Sequence, residues 1–224
     1  MNTNHTESGA LSQDRIPTLT KALEGATPAQ ADGLMRDALL TLVVDQQAAL
    51  AAGAPLFEAA GLAPALALFP EWCVRREFGI SWTEAEQTTW QRICGLLVTA
   101  ACAQTVGDDL VLLLRDPAFD WDEPQEIDWA VRWWELARRA GLPVDADFGE
   151  CWRAYEWQGL LHDLVAMGTA CRAHHEGAQP LAAADLQRRL AHASRVALRY
   201  GPLKPLLRLL EPLSGARVQA GFTF

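Results

Sequence analysis

Apolar residues recur along this chain at helical spacing, and no stretch shows the sustained period of two that a half-buried strand requires. Thr27 followed by Pro28 marks a helix start, because proline is harmless at the first helical position, where its missing N–H would have no partner. Leu34, Ala38, Leu42 and Leu50 then fall near one face, and Gly53 is the stop. The stretch from Gly61 to Gly79 predicts a shorter helical element interrupted at Phe69-Pro70. Thr83-Glu-Ala-Glu86 has the form of a capping box, after which Trp90, Ile93, Leu97 and Ala100 share a face up to a polar break at Gln104.

Beyond the break, Asp108 is placed to cap the apolar run Leu110 to Leu114. Asp122-Glu-Pro124 opens a further helix, with Ile127, Val131, Trp134 and Ala137 predicted inward and Gly141-Leu-Pro143 as its stop. A long helix is predicted from roughly Asp147 to His175. Its inner face uses Cys151, Tyr155, Leu161, Leu164 and Gly168, and Gly177 ends it. Another runs from about Ala182 to Tyr200 on Leu186, Leu190, Ala193 and Val196, and Gly201-Pro202 then leads to a Leu-rich segment near Leu206 to Leu210. The expected fold class is all-α, a helical bundle. At 224 residues one domain is expected, over residues 16–213, with a disordered tail at 1–15 and a C-terminal tail at 214–224.

Composition narrows the function classes. Half the residues are hydrophobic and 21% are charged, which is the balance of a globular protein. The formal charge of -9 repels a phosphate backbone, and Arg75-Arg76, Arg138-Arg139 and Arg188-Arg189 sit among acids, so no nucleic-acid partner is expected. The longest apolar runs, Leu62 to Phe69 and Leu96 to Ala103, fall far short of a membrane span, and the first fifteen residues lack the apolar core of a leader. No membrane association is expected, and a cytoplasmic location is. Five scattered cysteines without a CxxC pair indicate neither a disulfide framework nor a zinc clamp.

Candidate chemistry is sparse. No GxGxxG, GxxxxGK[ST], GxSxG or HExxH motif occurs. His162-Asp163 has the residue types of a general-base pair, but neighbours on a helix do not face each other, so a polar turn is the favoured reading. His174-His175-Glu176 carries metal-ligand types pointing to different sides, and histidines in a last helical turn already complement the helix dipole. Asp120-Trp-Asp122-Glu123 begins like a calcium loop, yet Pro124 and a missing glycine break that pattern, leaving a helix cap. The nine tryptophans all lie between Trp72 and Trp157; they read as core first and as a stacking platform for a sugar second.

Six segments in order carry a more specific signal: LFPEW at Leu68–Trp72, DLVLLLRD at Asp109–Asp116, DWAVRWW at Asp128–Trp134, GLP at Gly141–Pro143, DFG at Asp147–Gly149 and YEW at Tyr155–Trp157. In type and spacing they resemble the C-terminal lobe of bacterial phosphotransferases of the aminoglycoside phosphotransferase type. Within that group the likeness is to cell-wall amino sugar kinases acting on N-acetylmuramate and N-acetylglucosamine at the anomeric position. It covers about Ile16 to Phe224.

The resemblance implies the helical lobe of a two-lobed, protein-kinase-like fold and an ATP- and magnesium-dependent sugar kinase. In such kinases a strand-rich lobe holds the nucleotide with a lysine, an HxDxxxxN loop supplies base and metal ligand, and an LDFxD-like strand supplies a second ligand. This chain departs at all three. The resemblance starts after the nucleotide lobe should have ended, and only Gln104 to Asp108 stands where the loop and strand belong. That junction reads as the seam of a deletion of roughly thirty to forty residues against the family pattern. Asparagine occurs only at positions 2 and 4, so the loop's metal-binding Asn has no counterpart in another register. Of the two lysines, Lys21 lies in a segment resembling the linker after the nucleotide lobe, and Lys204 lies near the C-terminus. Leu161-His-Asp163 also departs from the Gln-Arg or Gln-His pair of the family.

The expectation is therefore a degenerate, truncated kinase homologue, catalytically inactive, that binds or scaffolds. The alternative is an amino sugar kinase active only with a complementing nucleotide lobe or catalytic segment. No catalytic, cofactor-binding or metal-binding residues are assigned. Asp116, Trp121 and Trp157 are the candidate substrate-binding residues, and an amino sugar is the candidate ligand. No cofactor is expected unless a partner restores the family activity with ATP and magnesium. A protein partner or a homo-oligomer is expected, because a lobe stripped of its neighbour exposes apolar surface.

Overall fold

The computed structural model describes residues 18–53, 61–103, 108–116, 119 and 121–220, with side chains as far as residue 214. The predicted N-terminal tail, the seam residues 104–107, Asp120 and the last four residues lie outside the described residues. Among the described residues every regular element is helical, as the absence of period-two patterning predicts. The elements are α1 (Pro28–Ala51), α2 (Leu62–Leu66), a π-helical segment (Phe69–Glu77), α3 (Glu84–Ala103), α4 (Asp108–Leu114), α5 (Glu123–Arg139), α6 (Phe148–His175), α7 (Ala183–Arg199), a 3-10 segment (Gly201–Leu206) and α8 (Leu207–Ala220). A further helical turn occupies residues 18–23.

The helix starts are set by side chains that satisfy the backbone N–H groups a first turn leaves open. The Thr27 side chain accepts from the Gln30 N–H while the Gln30 side chain accepts from the Thr27 N–H, and Asp122 and Gln125 repeat the arrangement. Thr83 and Glu86 form the box predicted for α3, with the Thr83 N–H donating to Glu86 at 2.8 Å. Gly141 and Gly177 end α5 and α6 at φ of 74° and 75°, a region glycine enters without steric cost.

The chain forms two compact units, Met1–Glu58 with Gln104–Tyr155, and Ala59–Ala103 with Glu156–Phe224. In the first, α1 packs against α5. Its core gathers Met35, Leu39 and Val43 of α1, Leu110, Val111 and Leu114 of α4, Trp129 and Trp133 of α5, and Tyr155. Arg132 Nη1 reaches Asp32 Oδ1 at 2.6 Å, and Trp133 Nε1 donates to Gln46 Oε1 at 3.3 Å. Burying the aliphatic side chains of this core stabilises by roughly 1.5–3 kcal/mol each.

Two predicted faces are rotated. In α1 the buried row is Met35, Leu39, Leu42, Val43 and Gln46, while Leu34 and Ala38 are half-buried and Leu50 is exposed. In α5 Trp129, Ala130, Trp133 and Ala137 are buried, while Ile127, Val131 and Trp134 are only partly so. The physical reason is common to both. A polar side chain, Gln46 or Glu126, is drawn inward by a partner, and the helix turns to seat it. In α3 the row is as predicted except that Ala101 replaces Ala100.

In the second unit α7, the 3-10 segment and α8 pack on one another, and α3 packs against the 3-10 segment and α2. Leu186, Leu190, Ala193 and Val196 of α7 are buried as predicted, as are Leu161, Leu164 and Gly168 of α6. A Cβ added at Gly168 would lie 2.6 Å from the Phe69 nitrogen and 2.8 Å from the Leu68 carbonyl carbon. Glycine there lets the backbone entering the π-helical segment approach α6.

Candidate functional site

Asp116 follows the end of α4, where its carbonyl accepts from the Phe119 N–H at 3.0 Å. Trp121 stands just before the Asp122 cap, its ring stacked on Phe119 at 5.6 Å and tilted against Trp129 at 6.0 Å. Both belong to the first unit. Trp157 belongs to the second, where it meets Tyr200 edge-on at 6.0 Å. The indole N–H groups of Trp121 and Trp157 are buried without a protein acceptor. That is an unusual state for a buried donor.

The reading of Asp163 as a polar turn needs correction. Its side chain is buried, with one oxygen 2.9 Å from Arg189 Nη1 and the other 2.5 Å from His192 Nδ1. Arg189 also pairs with Asp185. Burial lowers the Arg189 affinity for its proton, but the Asp163 and Asp185 carboxylates outweigh it and leave the guanidinium more firmly charged. An aspartate on the leucine-rich face of α6 and an arginine next to the buried Leu190 of α7 were the available signals. His175 turns to Glu77 at 3.3 Å, and Arg172 pairs with Glu176. Among the described residues no group of three or more His, Cys, Asp or Glu is placed to hold a metal.

In the first unit, Arg115 Nε donates to Glu126 Oε1 at 2.9 Å and lies over the Tyr155 ring at 4.7 Å. The Tyr155 hydroxyl donates to the same Glu126 oxygen at 2.6 Å. Burial holds that hydroxyl well above its usual value, so it stays a donor. In the second unit another buried acid, Glu156, is held by Arg199 Nη1 at 2.5 Å and by the Tyr200 hydroxyl.

One concavity stands out. Between the π-helical segment and α3 lies a cavity of about 790 Å³, walled by Pro70 and Val74 on one side and Trp90, Gly95 and Val98 on another, with Trp82 between. Cys94 also lines it, and burial pushes its thiol up to about 12, so it remains protonated. Cys102, two residues before Gln104, is exposed, whereas Cys73, Cys151 and Cys171 are buried.

Over 92% of its length the chain is 29% identical to a protein of Neisseria meningitidis serogroup B named N-acetylmuramate/N-acetylglucosamine kinase, covering 72% of that protein. Proteins of the same name from Pseudomonas putida and Pseudomonas aeruginosa are 30% and 27% identical over 84% and 83% of the chain, which spans 65% and 64% of their lengths. The chain is thus similar to proteins named as sugar kinases. No family model matches it, and no solved structure does. The Neisseria alignment has 239 positions, more than the chain itself; 92% of 224 is about 206, so about 33 aligned positions have no residue here. The P. putida alignment, with 220 positions against 84% of 224, leaves about 32. No helix among the described residues is long and apolar enough to cross a membrane.

Proposed function

We propose that this chain is a sugar-kinase relative without a phosphoryl-transfer centre of its own, serving as a binding module for an amino sugar together with a protein partner or a second copy. The observation that carries this reading is the set of about 33 positions present in the Neisseria relative and absent here. Its size fits the loop and strand that the family pattern places at the junction after Ala103. Ala103 also closes a segment of one compact unit and Gln104 opens a segment of the other. Phosphoryl transfer rests on positioned metal ions and a positioned base, so helices that lack those groups have no means of aligning it.

Sugar binding is supported by the relatives' names, and Trp121 of the first unit and Trp157 of the second are separate candidate rings for it. A ring face is what a pyranose packs on. Asp116 stands five residues before Trp121 and adds a carboxylate for sugar hydroxyls. The test incubates the purified chain with ATP, magnesium and N-acetylmuramate, and separately measures melting temperature with each ligand. We expect no turnover and stabilisation by the sugar alone, diminished in Trp121→Ala or in Trp157→Ala. Turnover by the single chain sinks the proposal, and the absence of any sugar-dependent shift removes its binding half. Turnover restored by a separate nucleotide-lobe polypeptide establishes a split kinase instead.

A further inference from the structure

The 790 Å³ cavity of the second unit has no part in the proposed sugar binding, and its size lies within the range of small-molecule sites. One wall is the π-helical segment Phe69–Glu77. Its bonds span five residues, as in Phe78 N–H to the Cys73 carbonyl at 3.1 Å; such wide turns are rare, pack less favourably than an α-helix and recur at functional sites. α6 packs closely on the start of this segment, where a Cβ at Gly168 would lie 2.6 Å from the Phe69 nitrogen.

The lining chemistry selects a class of occupant. Trp82 and Trp90 pack on each other at 5.5 Å and 46°, and buried Phe69 stacks on Trp90 at 5.2 Å, so the cavity has a fixed aromatic wall. A ring system packs on such indoles by offset or edge contact. The two charged groups at the cavity, Glu71 and Arg75, neutralise each other: Arg75 Nε donates to Glu71 Oε2 at 2.8 Å, and Arg76 adds a bond at 2.9 Å. Hydrogen bonds from Arg75 and then Arg76 hold the Glu71 carboxyl down to about 2, so this pairing persists at neutral pH. Arg76, outside the lining, shares the same carboxylate, so a cation gains no partner there, while an anion meets the chain's charge of -9. Ser81 and Gln91 remain as neutral donors and acceptors.

From this geometry we infer that the cavity between the π-helical segment and α3 binds an uncharged small molecule built on an aromatic ring system. The inference is independent of the sugar-binding proposal. It is tested with N-phenyl-1-naphthylamine, a neutral fluorescent probe, beside its anionic analogue 1-anilinonaphthalene-8-sulfonate. The blocking variant is Gly95→Trp. A Cβ at Gly95 meets nothing within 4 Å, and replacing a helix-interior glycine favours the helix, so the indole enters the cavity without disturbing the fold. Gly33→Trp, at an equally open position on α1, is the control.

We expect one neutral probe bound per chain, weaker binding of the sulfonate, and a loss of affinity of at least about tenfold in Gly95→Trp, with Gly33→Trp unchanged. Should Gly95→Trp lower the melting temperature, Ala67→Trp, from an exposed lining position of another element, decides in its place. Undiminished binding in the blocking variant, several probes per chain, or equal binding of the sulfonate overturns the inference.

Discussion

Tyr155 illustrates how this chain manages polarity in a core. Its ring is 1% exposed, and a hydroxyl so placed costs about 1–3 kcal/mol when it has no partner. Here it donates to Glu126, which Arg115 neutralises, so three polar side chains, one just after α4 and one each from α5 and α6, satisfy one another inside the first unit. A buried pair of this kind adds little beyond what an apolar cluster would, but removing one member is costly. Tyr155→Phe keeps the ring and deletes the donor. We expect it to lower unfolding free energy by about 2 kcal/mol in urea denaturation, and a change under about 0.5 kcal/mol would show that the bond contributes nothing. None of this trio was legible as a trio. Arg115 and Glu126 are ordinary charged residues in sequence, and only the fold brings them to a tyrosine 29 residues further on.

At the scale of elements, the sequence was most informative where local chemistry decides the outcome. Thr27, Thr83 and Asp122 cap helices because a side-chain oxygen answers an open N–H a few residues away, and that logic needs no tertiary partner. The faces of α1 and α5 were less legible, since apolar spacing ignores a glutamine or glutamate pulled inward from elsewhere. The π-helical segment was not legible, because an extra residue per turn leaves no signature in composition. Its traces are the break at Phe69-Pro70 and Gly168 on another helix. Gly168→Ala forces a methyl group against the Leu68–Phe69 backbone, and we expect a loss of about 1–3 kcal/mol, read by chemical denaturation. A neutral or stabilising result, as for an open helical glycine, would mean that the close approach is relaxed in solution.

For the molecule as a whole, a charge of -9 favours solubility and opposes association, so any self-association must come from local apolar surface. Leu40 and Val44, four residues apart on α1, are 52% and 53% exposed and share a face. The proposed oligomer or partner complex places that face at an interface. Sedimentation at micromolar concentration should give a mass above 24.5 kDa, returning to that value in Leu40→Glu/Val44→Glu. A parent chain that sediments as a monomer, without a partner, counts against a homo-oligomer. The candidate sugar residues stay the least legible part of the molecule. Asp116, Trp121 and Trp157 were chosen from residue type, and the two compact units divide them.

The cysteine inventory gives the seam an experimental handle. With three sulfurs sealed in the interior and Cys94 locked as a neutral thiol, Cys102 is the natural anchor for a maleimide dye at neutral pH. A fluorophore there would sit two residues from Gln104, so its anisotropy would register any polypeptide that docks beside the proposed seam.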